Sequence, residues 1–211
     1  RTRCSDDLLW LPYVTSAFVE ATGDSTILSE PVPFLHAAPL GVDEKDRFAR
    51  FDTTSIKRPL FEHCERALDR GFSLGMHGLP LMGAGDWNDG MDRIGEQGRG
   101  ESVWLAWFMI AAIKGFSRLC ERQARADLVE RWSARALDLQ RAVEESGWDG
   151  EWYLRAIDDD GLPWGSASND ECRIDSIAQS WAVLSGAGNL ERARRAMTAA
   201  ARYLMRDEDR L

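Results

Sequence analysis

The stretch LPLMGAGDWNDGMDRIG, residues 79–95, sets two acids, Asp86 and Asp89, around Trp87 and Asn88 and brackets them with glycines. A turn needs one or two such residues, a packed core excludes the acids, and a solvated loop has no use for the indole. Three chemistries compete for this pattern. Asx side chains can cap local N–H groups while the glycines turn the chain and Trp87 plugs the core. A calcium loop fails on register, because Gly90 stands at position five rather than six and position twelve is Gln97 rather than a glutamate. Sugar chemistry is the third. A flat indole suits the apolar C–H face of a pyranose, and carboxylates suit its hydroxyl rim. A carboxyl group kept protonated by burial or by a like-charged neighbour can give its proton to a glycosidic oxygen. Asp86 and Asp89 are close enough in sequence for one to raise the pKa of the other.

The elements that must carry this loop read as helices punctuated by glycine. Ser5-Asp6-Asp7 offers N-cap oxygens before LLWLPYVTSAFVEATG, and Gly23 closes that helix. Residues 24–54, with Pro31, Pro33, Pro39 and Gly41, show no sustained period and read as a long, partly ordered loop. SIKRPLFEHCERALDRG, from Ser55, places Leu60, Cys64, Ala67 and Leu68 on one helical face and stops at Gly71. Glu101 opens a helix that is apolar nearly all round in its first half, which predicts an inner helix enclosed by others. Ala126–Ser146 forms the next, ending at Gly147. GEWYLRAI, residues 150–157, is the one short strand-like piece, followed by the turn DDDG at 158–161. IDSIAQSWAVLSG and NLERARRAMTAAARYLM make a last helical pair. The fold class is therefore all-α. Buried helices paired with amphipathic ones predict concentric layers, an (α/α)6 double barrel of which this chain supplies roughly half.

Composition narrows the partners. The chain has 211 residues with 26 Lys plus Arg against 35 Asp plus Glu, a net charge of −9, and the charges are mixed along it. An acidic surface is a poor match to a phosphate backbone, so nucleic acid is not an expected partner. Cys4, Cys64, Cys120 and Cys172 lie far apart with no CxxC pair, which leaves no zinc-ligand spacing and points to reduced, mostly buried thiols; no metal is expected. The longest apolar run, residues 103–113, is too short for a bilayer core of about 30 Å. The chain opens on RTRCSDD without a methionine and stops within a helical pattern, so residues 1–211 read as one catalytic domain truncated at both ends.

Four blocks, RTRCSDDLLWLPY, HGLPLMGAGDWNDGM, GESVWLAWF and ECRIDSIAQSWAVLSG, together resemble glycoside hydrolase family 94, formerly glycosyltransferase family 36. The resemblance runs through essentially the whole chain. It implies an inverting phosphorylase of β-glucosides, or the phosphorylase-like region of a cyclic β-1,2-glucan synthase. It further implies that Asp89 is the general acid, that Trp87 lines the sugar subsite beside the cleaved bond, and that Arg1 (less securely Arg3) and Asp7 hold the same glucosyl ring. Asp86 is expected as an orienting neighbour at the substrate; Gln179, in QSW, reads equally as a further substrate contact or as a packing residue. No organic cofactor is implied; inorganic phosphate is the co-substrate. The family's phosphate-binding residues lie beyond the matched blocks, so little or no activity is expected of these 211 residues alone. TRCSDD and the glycine after DWND resemble the β-1,2-glucan branch. The implied partners are a β-glucan oligosaccharide with phosphate or glucose 1-phosphate, with room for a homodimer. The implied place is the cytoplasm, or the cytoplasmic face of the inner membrane for a synthase, whose membrane spans would lie elsewhere. An inverting hydrolase, with Glu171 as base, and a non-catalytic glucan-binding or length-controlling domain are the rival readings.

Overall fold

In the computed structural model, residues 1–42 and 44–205 are described, Asp89 by its backbone only. Six α-helices among them carry the fold: α1 (Asp7–Thr22), α2 (Leu60–Gly71), α3 (Val103–Arg122), α4 (Ala126–Ser146), α5 (Ser176–Leu184) and α6 (Leu190–Leu204). The all-α expectation holds in the mostly helical sense. The single strand-like segment does not, because five short strands form two small antiparallel sheets.

Helix α3 is the hub. Trp104, Trp107, Phe108, Ile113 and Phe116 are all buried, and the helix packs against α1, α4 and α5. It is twenty residues long, and by length and composition alone such a helix could cross a membrane; here most of it is enclosed by protein. Around it the aromatic rings interlock, with Trp104 stacked on Phe108 at 5.5 Å and Trp107 edge-on to Tyr153 at 5.3 Å between centroids. Cys64 and Cys120 belong to this core, and burial pushes their thiols up to about 11 and about 12, which makes them inert packing groups.

Several boundaries follow the glycine and capping signals. Gly23 ends α1 in the left-handed region at φ 73°, its N–H bonded to the Val19 carbonyl at 2.9 Å. Elsewhere proline misdirects the reading. Residues 24–59 hold a 3-10 turn at Thr26–Ser29 and a ribbon, β1 (Pro31–His36) paired with β2 (Asp52–Pro59), with a register shift between Pro33 and Leu35. A two-stranded ribbon has two free edges, so prolines cost it no ladder bond that a neighbouring strand needs. Residues 55–59 are accordingly strand, and α2 starts only after Pro59, which biases the preceding residue toward extended backbone.

The second sheet orders β3 (Glu101–Ser102), β4 (Ala156–Ile157) and β5 (Pro163–Trp164), with Glu101 opposite Ile157 and Ser102 opposite Ala156. Glu101 is thus extended rather than the first residue of a helix. Its buried carboxylate accepts N–H bonds from His77 and Leu79, each at 3.1 Å, and pairs with His77 Nδ1, and this draws it away from helical geometry. Ser102 then caps α3, its Oγ accepting from Leu105 N–H at 3.0 Å.

The DDDG turn links β4 to β5, as its sequence predicts, and does one thing more. The Asp159 carboxylate accepts N–H bonds from Gln97 (2.7 Å), Arg99 (2.8 Å) and Gly100 (2.9 Å), which clamps the segment leading out of the acidic loop. Burial disfavours the charge, but these donors outweigh it and hold the Asp159 titration below the ordinary carboxylate value. Because the native pKa is the depressed one, this stabilisation is complete above the unfolded-state carboxylate value and is lost as pH falls through the native one. Asp159→Asn is expected to cost about 1–2 kcal/mol at neutral pH, at about 1 kcal/mol for each weakened bond. Thermal unfolding followed from neutral to acid should show the two proteins converging; a gap that stays constant into acid contradicts the clamp.

Candidate active site

The first block lies alongside the acidic loop through backbone contacts. Ser5 N–H and Ser5 Oγ–H donate to the Gly85 carbonyl at 3.0 and 3.2 Å, and Ala84 N–H donates to the Arg3 carbonyl at 3.3 Å. The approach is close enough that a Cβ on Gly83, whose φ is +63°, would stand 2.9 Å from the Arg3 carbonyl oxygen. Two segments 80 residues apart in sequence are brought together this way, and Asp6 arrives close enough to Asp86 to feel its charge.

Asp86 itself is spent inside the protein. Only 1% exposed, it accepts from Arg155 Nη2 at 2.6 Å and from Asn88 N–H at 3.1 Å through Oδ1, and from Ser102 Oγ–H at 2.8 Å through Oδ2. Its charge is met by a guanidinium, so it anchors the loop. Asn88 turns the chain, its side chain accepting from Gly90 N–H at 3.0 Å, and the 3-10 turn Asp89–Met91 follows. Trp87 stands 60% exposed at the rim. The side chain of Asp89, the expected general acid, lies outside the described residues.

The remaining site residues divide. Asp7 is exposed at the start of α1 and accepts from Thr2 Oγ–H. Beside it Asp6 is buried, and burial is the main cause that pushes its carboxyl above the ordinary value, against an N–H from Trp10 at 2.9 Å and with Asp7 and Asp86 adding like charge. Arg1 points elsewhere: its guanidinium donates to the carbonyls of Ala37 (3.3 Å) and Ala38 (3.0 Å), and it lines a cleft of about 430 Å³ with Thr2, Lys45, Arg47, Phe48 and Asp92. That cleft reaches Ala84 but does not include Trp87 or Asp7 in its lining. Gln179, expected at the substrate, is 0% exposed. Its amide accepts from Tyr153 N–H at 2.9 Å and donates to the Tyr153 and Asp175 carbonyls at 2.7 and 2.9 Å, which leaves it a clamp on the backbone before β4. Glu171 is exposed and precedes α5 by five positions, outside any helix N-terminus.

The residue that sequence reasoning passed over is Arg155, 1% exposed. Besides Asp86 it reaches Ser102 Oγ (Nη1, 3.2 Å) and lies 3.5 Å from Asp175 Oδ2 through Nε. Asp175 is the N-cap of α5, accepting from Ile177 N–H at 2.8 Å. One guanidinium therefore joins the acidic loop, the cap of α3 and the cap of α5. A signal for it exists in GEWYLRAI: Tyr153 and Ile157 share its strand face, and a cation flanked by apolar residues on a buried face demands an internal partner.

Residues 1–210 match the family model described as the Glycosyl hydrolase 94 superfamily, catalytic domain. Over 212 aligned residues and 100% of its length the chain is 43% identical to cyclic beta-(1,2)-glucan synthase NdvB of Rhizobium meliloti, of which it covers 8%. It is 34% identical over 191 residues to solabiose phosphorylase of Paenibacillus borealis, and 33% over 189 residues to 3-O-beta-D-glucopyranosyl-beta-D-glucuronide phosphorylase of the same organism. These alignments take in 90% and 89% of the chain and 22% of each relative. The chain belongs to the glycosyl hydrolase 94 family. It spans a small part, between about a twelfth and about a fifth, of the length of these relatives.

Proposed function

We propose that the chain is the part of a catalytic domain that supplies the general acid and part of the glucosyl subsite of an inverting glycoside phosphorylase. The observation that carries this is the loop 86–89 itself. A buried ion pair anchors its first residue, an exposed indole follows, and an acid stands two positions beyond the indole, all on a chain that matches this family over residues 1–210. In the forward direction Asp89 gives its proton to the glycosidic oxygen as the bond from C1 to that oxygen breaks. A phosphate oxygen attacks C1 from the opposite face and forms α-glucose 1-phosphate. Phosphate is already anionic at neutral pH, so the step needs no general base; in reverse the Asp89 carboxylate takes the proton of the acceptor hydroxyl. Trp87 offers the apolar face of the subsite and Asp7 a carboxylate for sugar hydroxyls. Arg1 would have to leave the Ala37 and Ala38 carbonyls to join them.

The architecture of the whole domain is proposed as the (α/α)6 barrel. Helix α1 is apolar on its outer face as well, with Leu8, Leu11, Val14 and Phe18 all exposed here, and such a helix calls for further helices around it. A β-1,2-glucan is the favoured substrate because the synthase is the relative of higher identity, at 43% against 33–34% for the two phosphorylases. The test is to give the full-length protein glucose 1-phosphate with glucose, a β-1,2-linked and a β-1,4-linked diglucoside as acceptors, and to assign the linkage formed. Phosphate release with a new β-1,2 bond supports the reading. Absence of phosphate release with every acceptor overturns it.

A further inference from the structure

We propose that Arg155 is the positioning residue of the catalytic loop, fixing through Asp86 where the acid three residues further on meets its substrate; the inference rests on the phosphorylase reading. The guanidinium uses its three nitrogens on three elements: Nη2 on the loop at Asp86, Nη1 on the α3 cap at Ser102, and Nε toward the α5 cap at Asp175. The Nε–H has no hydrogen-bond partner among the described residues, so its attraction to Asp175 is electrostatic rather than a formed bond. The segment that leads into Arg155 and β4 is itself held, since Gln179 grips Tyr153 on both its N–H and its carbonyl. The loop is therefore tied, beyond its own turns, to a segment that also meets the start of α3, where Val103 N–H donates to the Arg155 carbonyl at 3.2 Å.

Stability alone is a weak reason for such an arrangement. Replacing a buried ion pair by apolar side chains of similar volume is often neutral or stabilising. What a forked cation gives that an apolar pair cannot is a fixed direction, since each N–H bond constrains both distance and angle. Placement at that level is what proton transfer requires, where a displacement of about 1 Å can cost roughly a hundredfold in rate. Lysine keeps the charge but can meet neither Asp86 and Ser102 together nor the planar geometry between them.

The experiment uses three variants of the full-length protein, Arg155→Met, Arg155→Lys and the double variant Asp86→Asn with Arg155→Met, which leaves no buried charge uncompensated. Three readouts are taken: the unfolding midpoint, amide hydrogen exchange over residues 86–91, and kcat and KM for glucosyl transfer from glucose 1-phosphate. The double variant is expected to regain most of the midpoint lost by Arg155→Met. Its loop should nonetheless exchange about tenfold faster than the native one, with kcat down roughly a hundredfold and KM changed far less. Should the double variant fail to fold, Arg155→Lys decides on the same exchange and kcat readouts. A folded variant that keeps native exchange over 86–91 and native kcat overturns the inference. Absence of transfer by the unmodified protein sinks the phosphorylase reading instead, while the exchange rates still decide whether Arg155 holds the loop.

Discussion

Asp89→Asn in the full-length protein should lose turnover of ordinary β-glucosides by about 10²–10⁴-fold, the usual worth of a positioned general acid. An asparagine fills the same space and keeps the 3-10 turn, so folding and Trp87 are left in place. What disappears is the proton, and the loss should therefore depend on the leaving group. A sugar hydroxyl departs badly without protonation, whereas fluoride departs well. With β-glucosyl fluoride as donor and phosphate as nucleophile the variant should regain most of the native rate. Equal losses with both donors would mean that residue 89 serves the site in some other way. Loss with neither would mean that residue 89 is not the general acid.

Gly100→Ala should produce the largest loss of stability of any single methyl group near the site. A Cβ at Gly100 would stand 2.0 Å from the Ile94 carbonyl oxygen, 2.6 Å from its carbon and 2.8 Å from Gly95 Cα. All three are backbone atoms, and no rotamer change relieves them. The segment cannot drift away either, because Asp159 holds Gln97, Arg99 and Gly100 by their N–H groups and Ile94 accepts from Asp159 N–H at 3.0 Å. Gly100 also accepts from Met82 N–H at 2.7 Å, which ties the clash to the strand of chain entering the acidic loop. Ordinary overpacking costs about 1–3 kcal/mol; this substitution should exceed that range and lower the unfolding midpoint by roughly 10 °C or more at about 2–4 °C per kcal/mol. Calorimetry of the full-length variant checks it. A midpoint within a degree or two of the native one would mean that the 94–100 turn relaxes freely and is not the fixed frame of the loop.

The helices were legible because their signals are local. Glycine after an apolar-periodic run marks the ends of α1 and α4, and the apolar surround of Val103–Ile113 marks the helix at the centre. The strands were not legible, since a two-residue strand such as β3 or β4 has no period to read and exists only through its partner. Proline-rich β1 looks like loop until β2 is laid beside it. The same division runs through the site. Sequence placed the loop at 86–89 and the first block at 1–13, and the structure joins Arg3 and Ser5 of that block to Ala84 and Gly85 at the entry to the loop. It did not show that Asp86 and Gln179 turn inward, because their partners, Arg155 and the Tyr153 backbone, lie 69 and 26 positions away. Long-range pairing of buried polar groups is the information that local pattern lacks.

Phosphorolysis with inversion is tested most directly by proton NMR of the full-length protein incubated with a β-linked diglucoside, once with inorganic phosphate and once without. The predicted spectrum shows α-glucose 1-phosphate accumulating with one free glucose per bond broken, and no reaction when phosphate is left out. Free glucose from both units at an undiminished rate in phosphate-free buffer, or a β-configured phosphate product, contradicts it.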